Sequence, residues 1–297
     1  MSPELLALGA ITFLAAIVNG ALGYGFSSIT VPLALLLVTS RVLNPALVLV
    51  EVAINLYVLA VNWRGAAAAM RRVSTLVVGL VPGVVVGSFF LASVSPDAVK
   101  LATYAILLPL ILVQASGLRR PLRSERAIGL PFGGGVGLLY SVTTISGPPL
   151  ALLFNNQGYA KRDFRASLAV VRVAESSMTA VAYLVLGLYT PASLALVGPI
   201  IPAVLLGIPA GTLLIRRIDP ETFRRVCMSF DAWIVGFGLS RVIEGLHVVA
   251  APGAYLVLAT AAAIDLVLLY RFFRQRSTRG RHAVAREQSL ISATGGD

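Results

Sequence analysis

The sequence predicts an all-α polytopic membrane protein, and three observations carry that prediction. Of its 297 residues, 57% are hydrophobic and only 12% charged, where a water-soluble domain carries roughly a quarter charged residues. The apolar residues gather into runs close to the roughly 20 that a hydrocarbon core requires. The net charge of +11 comes from short basic clusters between those runs. Such spacing is the mark of cytoplasmic loops, whereas a nucleic-acid partner calls for one continuous basic patch.

Taken in order, ordinary spans are predicted near 44 to 62, 73 to 92, 98 to 117, 166 to 188, 193 to 215, 222 to 240 and 250 to 270. Two further stretches, 4 to 39 and 127 to 157, are too long for one crossing. Each is interrupted by glycine, serine or threonine, and proline, so each predicts a pair of short half-helices. The first run starts at Glu4 without the basic segment of a cleaved leader, which reads as part of the mature protein. Five basic clusters call for the cytoplasm: Arg64, Arg71 and Arg72; Arg119, Arg120, Arg123 and Arg126; Lys161, Arg162 and Arg165; Arg216, Arg217, Arg224 and Arg225; and the tail from Arg271. Because the second and third clusters want the same side, stretch 127 to 157 must leave and return. The same count puts the N-terminus outside and the C-terminus in the cytoplasm of a bacterial inner membrane.

An internal repeat supports this layout. Pro32-Leu33-Ala34-Leu35-Leu36 recurs as Pro149-Leu150-Ala151-Leu152-Leu153, Val50-Glu51-Val52-Ala53 as Val171-Arg172-Val173-Ala174, and Pro82 with Gly87 as Pro202 with Gly207. Chance likeness between Leu/Ala-rich helices is the alternative, against which the collinear order argues. The expected organisation is a first repeat over 1–118, a second over 127–245, an added span over 250–270 and a basic, disordered tail over 271–297 that touches anionic lipid. Each repeat holds one broken hairpin and three spans. Three is odd, so the second repeat is inverted relative to the first, as in many secondary transporters.

The two interruptions are the first candidate site. One reads Asn19-Gly20-Ala21-Leu22-Gly23-Tyr24-Gly25-Phe26-Ser27-Ser28 and the other Ser141-Val142-Thr143-Thr144-Ile145-Ser146-Gly147-Pro148-Pro149. Unwound backbone at membrane depth must line protein or a wet cavity, where its polar groups find partners. The half-helix after each break would aim free N–H groups and a positive dipole end at an anion. Pro32 and Pro149 are expected in the first turns of those half-helices, where a missing N–H is harmless. On this reading Asn19, Gly23, Tyr24, Gly25, Phe26, Ser27, Ser28, Thr143, Thr144, Ser146 and Gly147 contact substrate. The competing reading is that the glycines only let helices approach closely.

Charges inside spans are costly unless paired or wet. Arg172 is expected to be the fixed countercharge of an anionic substrate, with Glu51, Glu175 or Asp231 taking up a proton. A structural Arg172–Glu175 or Arg172–Glu51 pair is the alternative, as is a capping or packing role for Asp231. Asp265 reads as structural, and Asn55, Asn62, Gln114 and Asn155 as substrate contacts or as glue between helices. A lone Cys227 and two histidines, His247 and His282, assemble no disulfide, histidine metal site or Ser-His dyad. No cofactor and no enzyme activity is therefore expected. An aspartyl-type pair of Asp231 with Glu51 or Glu175 is the remaining enzymatic arrangement.

On the residues from Asn19-Gly20 to Pro32, the Gly-Pro-Pro-Leu run at Gly147 to Leu150 and the short basic loops, the chain resembles the sulfite exporter TauE/SafE family, also called the toluene sulfonate uptake permease family, over roughly residues 5 to 270. The resemblance implies transport of small sulfur-containing or carboxylate anions, coupled to protons or to the membrane potential. Many members carry more glycine in each half, where this chain has Phe26-Ser27-Ser28 and Val142-Thr143-Thr144-Ile145-Ser146. Hydroxyls there could donate to an oxyanion. The expected function is a secondary anion transporter working by alternating access, ahead of a passive anion channel and of an intramembrane enzyme or assembly factor. Its expected partners are a small anion and membrane lipid, with no nucleic acid; the oligomeric state is open, a homodimer among the options.

Overall fold

A computed structural model describes residues 3–117 and 125–274. The tail expected from 271 starts later, residues 271 to 274 being helical; the rest of it, and three arginines of the second basic cluster, Arg119, Arg120 and Arg123, lie outside the described residues. The described chain is helical: α1 (Pro3–Leu22), α2 (Phe26–Ala34), α3 (Ser40–Val61), α4 (Trp63–Ser93), α5 (Pro96–Ala115), α6 (Glu125–Thr143), α7 (Gly147–Asn156), α8 (Lys161–Val185), α9 (Pro191–Leu214) and α10 (Pro220–Gly245). A final segment, Gly253–Arg274, which we label α11, opens with a 3₁₀ turn. Among the described residues, eight helices are long and apolar enough to cross a membrane, namely the seven expected spans and α1. Large apolar side chains such as Val85, Phe89, Leu184, Leu205, Leu206 and Leu256 point outward. In water such a surface would aggregate, whereas in lipid it is the solvent-facing side.

Helix bounds recur with a fixed interval. Leu22 and Thr143 end α1 and α6, Phe26 and Gly147 open α2 and α7, Ser40 and Lys161 open α3 and α8, and Ser93 and Leu214 end α4 and α9, each pair 121 residues apart. The Pro-Leu-Ala-Leu-Leu match is out of step with this interval. Pro32 is the seventh residue of α2 and Pro149 the third of α7, so Pro32 does not sit in a first turn as expected. The helix pairing crosses over: α1 packs on α9, α6 on α4, α3 on α8 and α5 on α10.

Small residues let two of these pairs touch backbone to backbone, the usual device where water supplies no hydrophobic drive between helices. A Cβ on Gly83 would strike the carbonyl of Gly134, one on Gly133 that of Leu76, and one on Gly211 that of Ile17. These glycines match the close-approach reading. In the first break Gly20 does so too, its Cβ striking the Ile208 carbonyl, whereas Gly23 has nothing near its missing Cβ, and it and Gly25 hold φ of 82° and 105°, where an L side chain is strained.

Three further expectations need correction. The stretches 4 to 39 and 127 to 157 are not pairs of short half-helices: only α2 and α7, with 9 and 10 residues, are short, while α1 and α6 have 20 and 19. Arg64, Arg71 and Arg72 lie in no loop, because only Asn62 separates α3 from α4. At 31 residues and about 1.5 Å each, α4 outruns a core roughly 30 Å thick, so its first turns carry these arginines beyond the membrane. Arg225 is no loop residue either. It is buried in α10 and pairs with Asp265 of α11 at 2.8 Å, which gives the structural role expected of Asp265 a partner.

Candidate functional site

The residues between the helix breaks gather at the crossing of α3 and α8. Glu51 and Arg172 are each the twelfth residue of their helix, and they form a buried ion pair with Arg172 Nη2 3.0 Å from Glu51 Oε1. One turn further on, Asn55 Nδ2 donates to the Arg172 carbonyl and to Ser176 Oγ, both at 3.3 Å. Asn55 and Ser176 are again matched by the 121-residue interval. A residue can touch its own counterpart only near the axis that relates them.

Each break feeds a hydroxyl into this crossing. Ser27, in the first turn of α2, donates to Glu51 Oε1, and Ser146, just ahead of α7, donates to Glu175 Oε1. Tyr140 completes the Glu51 shell, its hydroxyl donating to Oε2 at 2.6 Å. Glu51 thus collects three donors, one of them charged, as a buried carboxylate requires. Glu175 has one, and its Oε2 and the Arg172 Nε have no partner. Glu175 lies within electrostatic reach of both Arg172 and Glu51. The cluster therefore sets one guanidinium against two carboxyl groups, all at 6% exposure or less.

The breaks also touch each other. The Tyr24 ring packs on the start of α7, 3.4 Å from where a Cβ of Gly147 would stand. In the second break Thr144 takes a positive φ of 57°, and the Thr143 hydroxyl accepts from the Ile145 N–H at 3.1 Å. That bond satisfies locally a donor the unwound chain would otherwise strand. α2 offers the amides of Phe26, Ser27 and Ser28 ahead of its first helical bond, Ile29 N–H to Gly25 O. α7 offers fewer than expected, because Pro148 and Pro149 have no N–H. Its positive dipole end remains.

The other sequence candidates divide. Asn19 is buried near the end of α1 with Oδ1 unpartnered, and Thr143, Thr144 and Phe26 are buried in the breaks. Asp231 of α10 faces the Ser28 hydroxyl of α2 and keeps Oδ1 without a partner, apart from the Glu51–Arg172 pair. Asn55 bridges helices, and Asn62 Nδ2 bonds its own helix at Val58 O. Tyr140 and Ser176 escaped the sequence reading; the only signal for Tyr140 was its place one turn before Thr144. Outside the spans, burial pushes the Tyr189 hydroxyl up to about 12, so it stays protonated at physiological pH.

Discontinuous helices converging on buried charge inside an apolar sheath are an arrangement common among polytopic membrane transporters. The family model described as Sulfite exporter TauE/SafE matches residues 8–237, and the chain belongs to that family of membrane anion transporters. No match was found among curated proteins or among solved structures.

Proposed function

We propose that the chain carries a small oxyanion, such as sulfite, a sulfonate or a related carboxylate, across a bacterial inner membrane by alternating access, coupled to a proton. The observation that carries this reading is Arg172, buried, paired with Glu51 and within electrostatic reach of Glu175, with a hydroxyl from each break bonded to one of the two carboxyl groups. With both carboxylates charged, the cluster would hold one net negative charge and repel an anion. A proton on Glu175 Oε2, the oxygen without a partner, brings the cluster to neutrality. An anion can then share the Arg172 guanidinium through its free Nε, with Ser27, Ser146 and the α2 amides as further donors. Anion and proton would thus bind together.

The recurring helix bounds, the crossed pairing and the self-contacting mates at 51 and 172 support two inverted halves that rock about the α3–α8 crossing. The Arg72–Asp163 bridge of 2.9 Å joins the N-terminal part of α4, at its tenth residue, to the first turn of α8, supporting one cytoplasmic face for both basic clusters and hence an outer N-terminus. Proteoliposomes screened with labelled sulfite, sulfonates and small carboxylates test the reading. Saturable flux that follows a pH gradient and is abolished in Arg172→Ala and Glu51→Gln is expected. Unsaturable flux with large single-molecule currents would favour a channel, and substrate bond cleavage in detergent an enzyme.

A further inference from the structure

The charged and apolar surfaces at the start of α4 lie on one line. On α3, the residues Leu49, Val50, Ala53, Ile54 and Tyr57 face Ile201, Leu205 and Pro209 of α9 across an apolar cleft of about 440 Å³. Continuing the same steps of three and four, which keep to one helix face, the next positions are Ala60 and Val61, the last of α3. These two, with Asn62, Trp63 and Arg64 at the start of α4 and Arg162 of α8, line a second cavity of about 360 Å³ at the α3–α4 junction. A single stripe therefore runs from a lipid-facing groove into an arginine-lined pocket, about 18 Å along the axis from Leu49 to Val61.

The pocket is cationic and unanswered. Arg64 and Arg162 line it together, and neither has a hydrogen-bond or ion-pair partner among the described residues. Their neighbour Arg72 differs, being bridged to Asp163. No acidic side chain lines the cavity. Trp63 and Tyr57, exposed by 68% and 62%, stand where amphipathic rings settle at headgroup level. α4 and α8 meet closely beside it, a Cβ on Gly65 falling 3.0 Å from that of Ala166, and both helices start there without a side-chain cap.

We infer that this stripe is a binding site for one anionic phospholipid of the cytoplasmic leaflet, its phosphate held by Arg64 and Arg162 and an acyl chain laid in the α3–α9 groove. Charge complementarity selects an anionic headgroup, and the groove's continuity with the pocket selects a molecule with a chain over a free anion. The site is independent of the buried Arg172 cluster. Because α3 and α9 belong to different proposed halves, an occupied groove would bear on their relative movement.

Native mass spectrometry of the purified full chain, titrated with phosphatidylglycerol and with phosphatidylcholine of the same acyl chains, tests the assignment. One tight phosphatidylglycerol adduct is expected, with a preference of roughly thirtyfold, as two arginines near an anionic lipid provide. Arg64→Gln with Arg162→Gln should erase the preference, while Arg64→Lys with Arg162→Lys, which retains charge should the neutral variant fail to fold, should keep most of it. Ala53→Trp in the groove should weaken both lipids and leave their ratio unchanged. Equal binding of the two lipids by the unaltered protein, or a preference that survives the double glutamine change, overturns the inference. So does glycerol 3-phosphate binding as tightly as the intact lipid, which would make the pocket a site for free anions.

Discussion

Removing the Glu51 carboxylate should expose what holds the α3–α8 crossing together. In Glu51→Ala the guanidinium of Arg172 loses the oxygen 3.0 Å away, and the hydroxyls of Ser27 and Tyr140 lose their acceptor. Breaking one side of a buried ion pair leaves an uncompensated charge and costs about 3 to 5 kcal/mol. That corresponds to a loss of roughly two to nearly four orders of magnitude in the folded ratio. Replacing both partners, as Glu51→Leu with Arg172→Met, removes the charge and its counterion together and should return most of the stability, since a well-packed apolar pair is often as stable as a buried salt bridge. The assay is reversible unfolding in mixed detergent, followed by circular dichroism, with anion flux measured in parallel. The double variant should be stable and silent in transport. A single variant within about 1 kcal/mol of the parent would show that the pair is not the buried contact described, and a double variant as unstable as the single would refute the argument from lost compensation.

Other consequences are simpler to read. Ser27→Ala and Ser146→Ala each delete one hydroxyl donor to a carboxylate, and each should cost about 0.5 to 2 kcal/mol in detergent while slowing flux, measured in the same proteoliposomes. Gly83→Val should prevent assembly of α4 against α6, because the new Cβ meets a backbone carbonyl that cannot step aside. Gly198→Ala, with open space at its Cβ, should be tolerated and raise helix stability by up to about 1 kcal/mol; thermal stability in detergent separates the two. Asp265→Ala should loosen α11 from α10 by stranding Arg225, seen as faster proteolysis near Gly245 to Gly253, whereas an unchanged digestion pattern would deny the pair that role.

Much of the architecture was legible because a bilayer imposes one simple rule: apolar runs of span length must be helices. The two breaks stood out for the same reason, since Gly23, Gly25, Thr144 and the Pro148-Pro149 pair interrupt runs that lipid would otherwise keep helical. Unequal lengths on either side of each break did not show, because composition marks where a helix stops but not how deep the stop lies. The Pro-Leu-Ala-Leu-Leu match misled by four residues, since leucine-rich helices agree at many registers, whereas Glu51 and Arg172 stood at the true interval. Arg64 and Arg225 were placed in loops by their charge alone, which cannot tell an arginine beyond the membrane from one buried against Asp265. Tyr140 carried no signal of its own, as an aromatic in an apolar run is ordinary until Glu51 is seen beside it.

Thiol protection measures most directly whether both breaks and Arg172 form one anion site. With Cys227 replaced by serine, Ser27→Cys and Ser146→Cys are each reacted with a small, membrane-impermeant thiol reagent in proteoliposomes, with and without sulfite. The account predicts that sulfite slows labelling at both positions, with the same half-saturation, and that Arg172→Gln removes the protection at both. Protection at one position only, or at both regardless of Arg172, would contradict it.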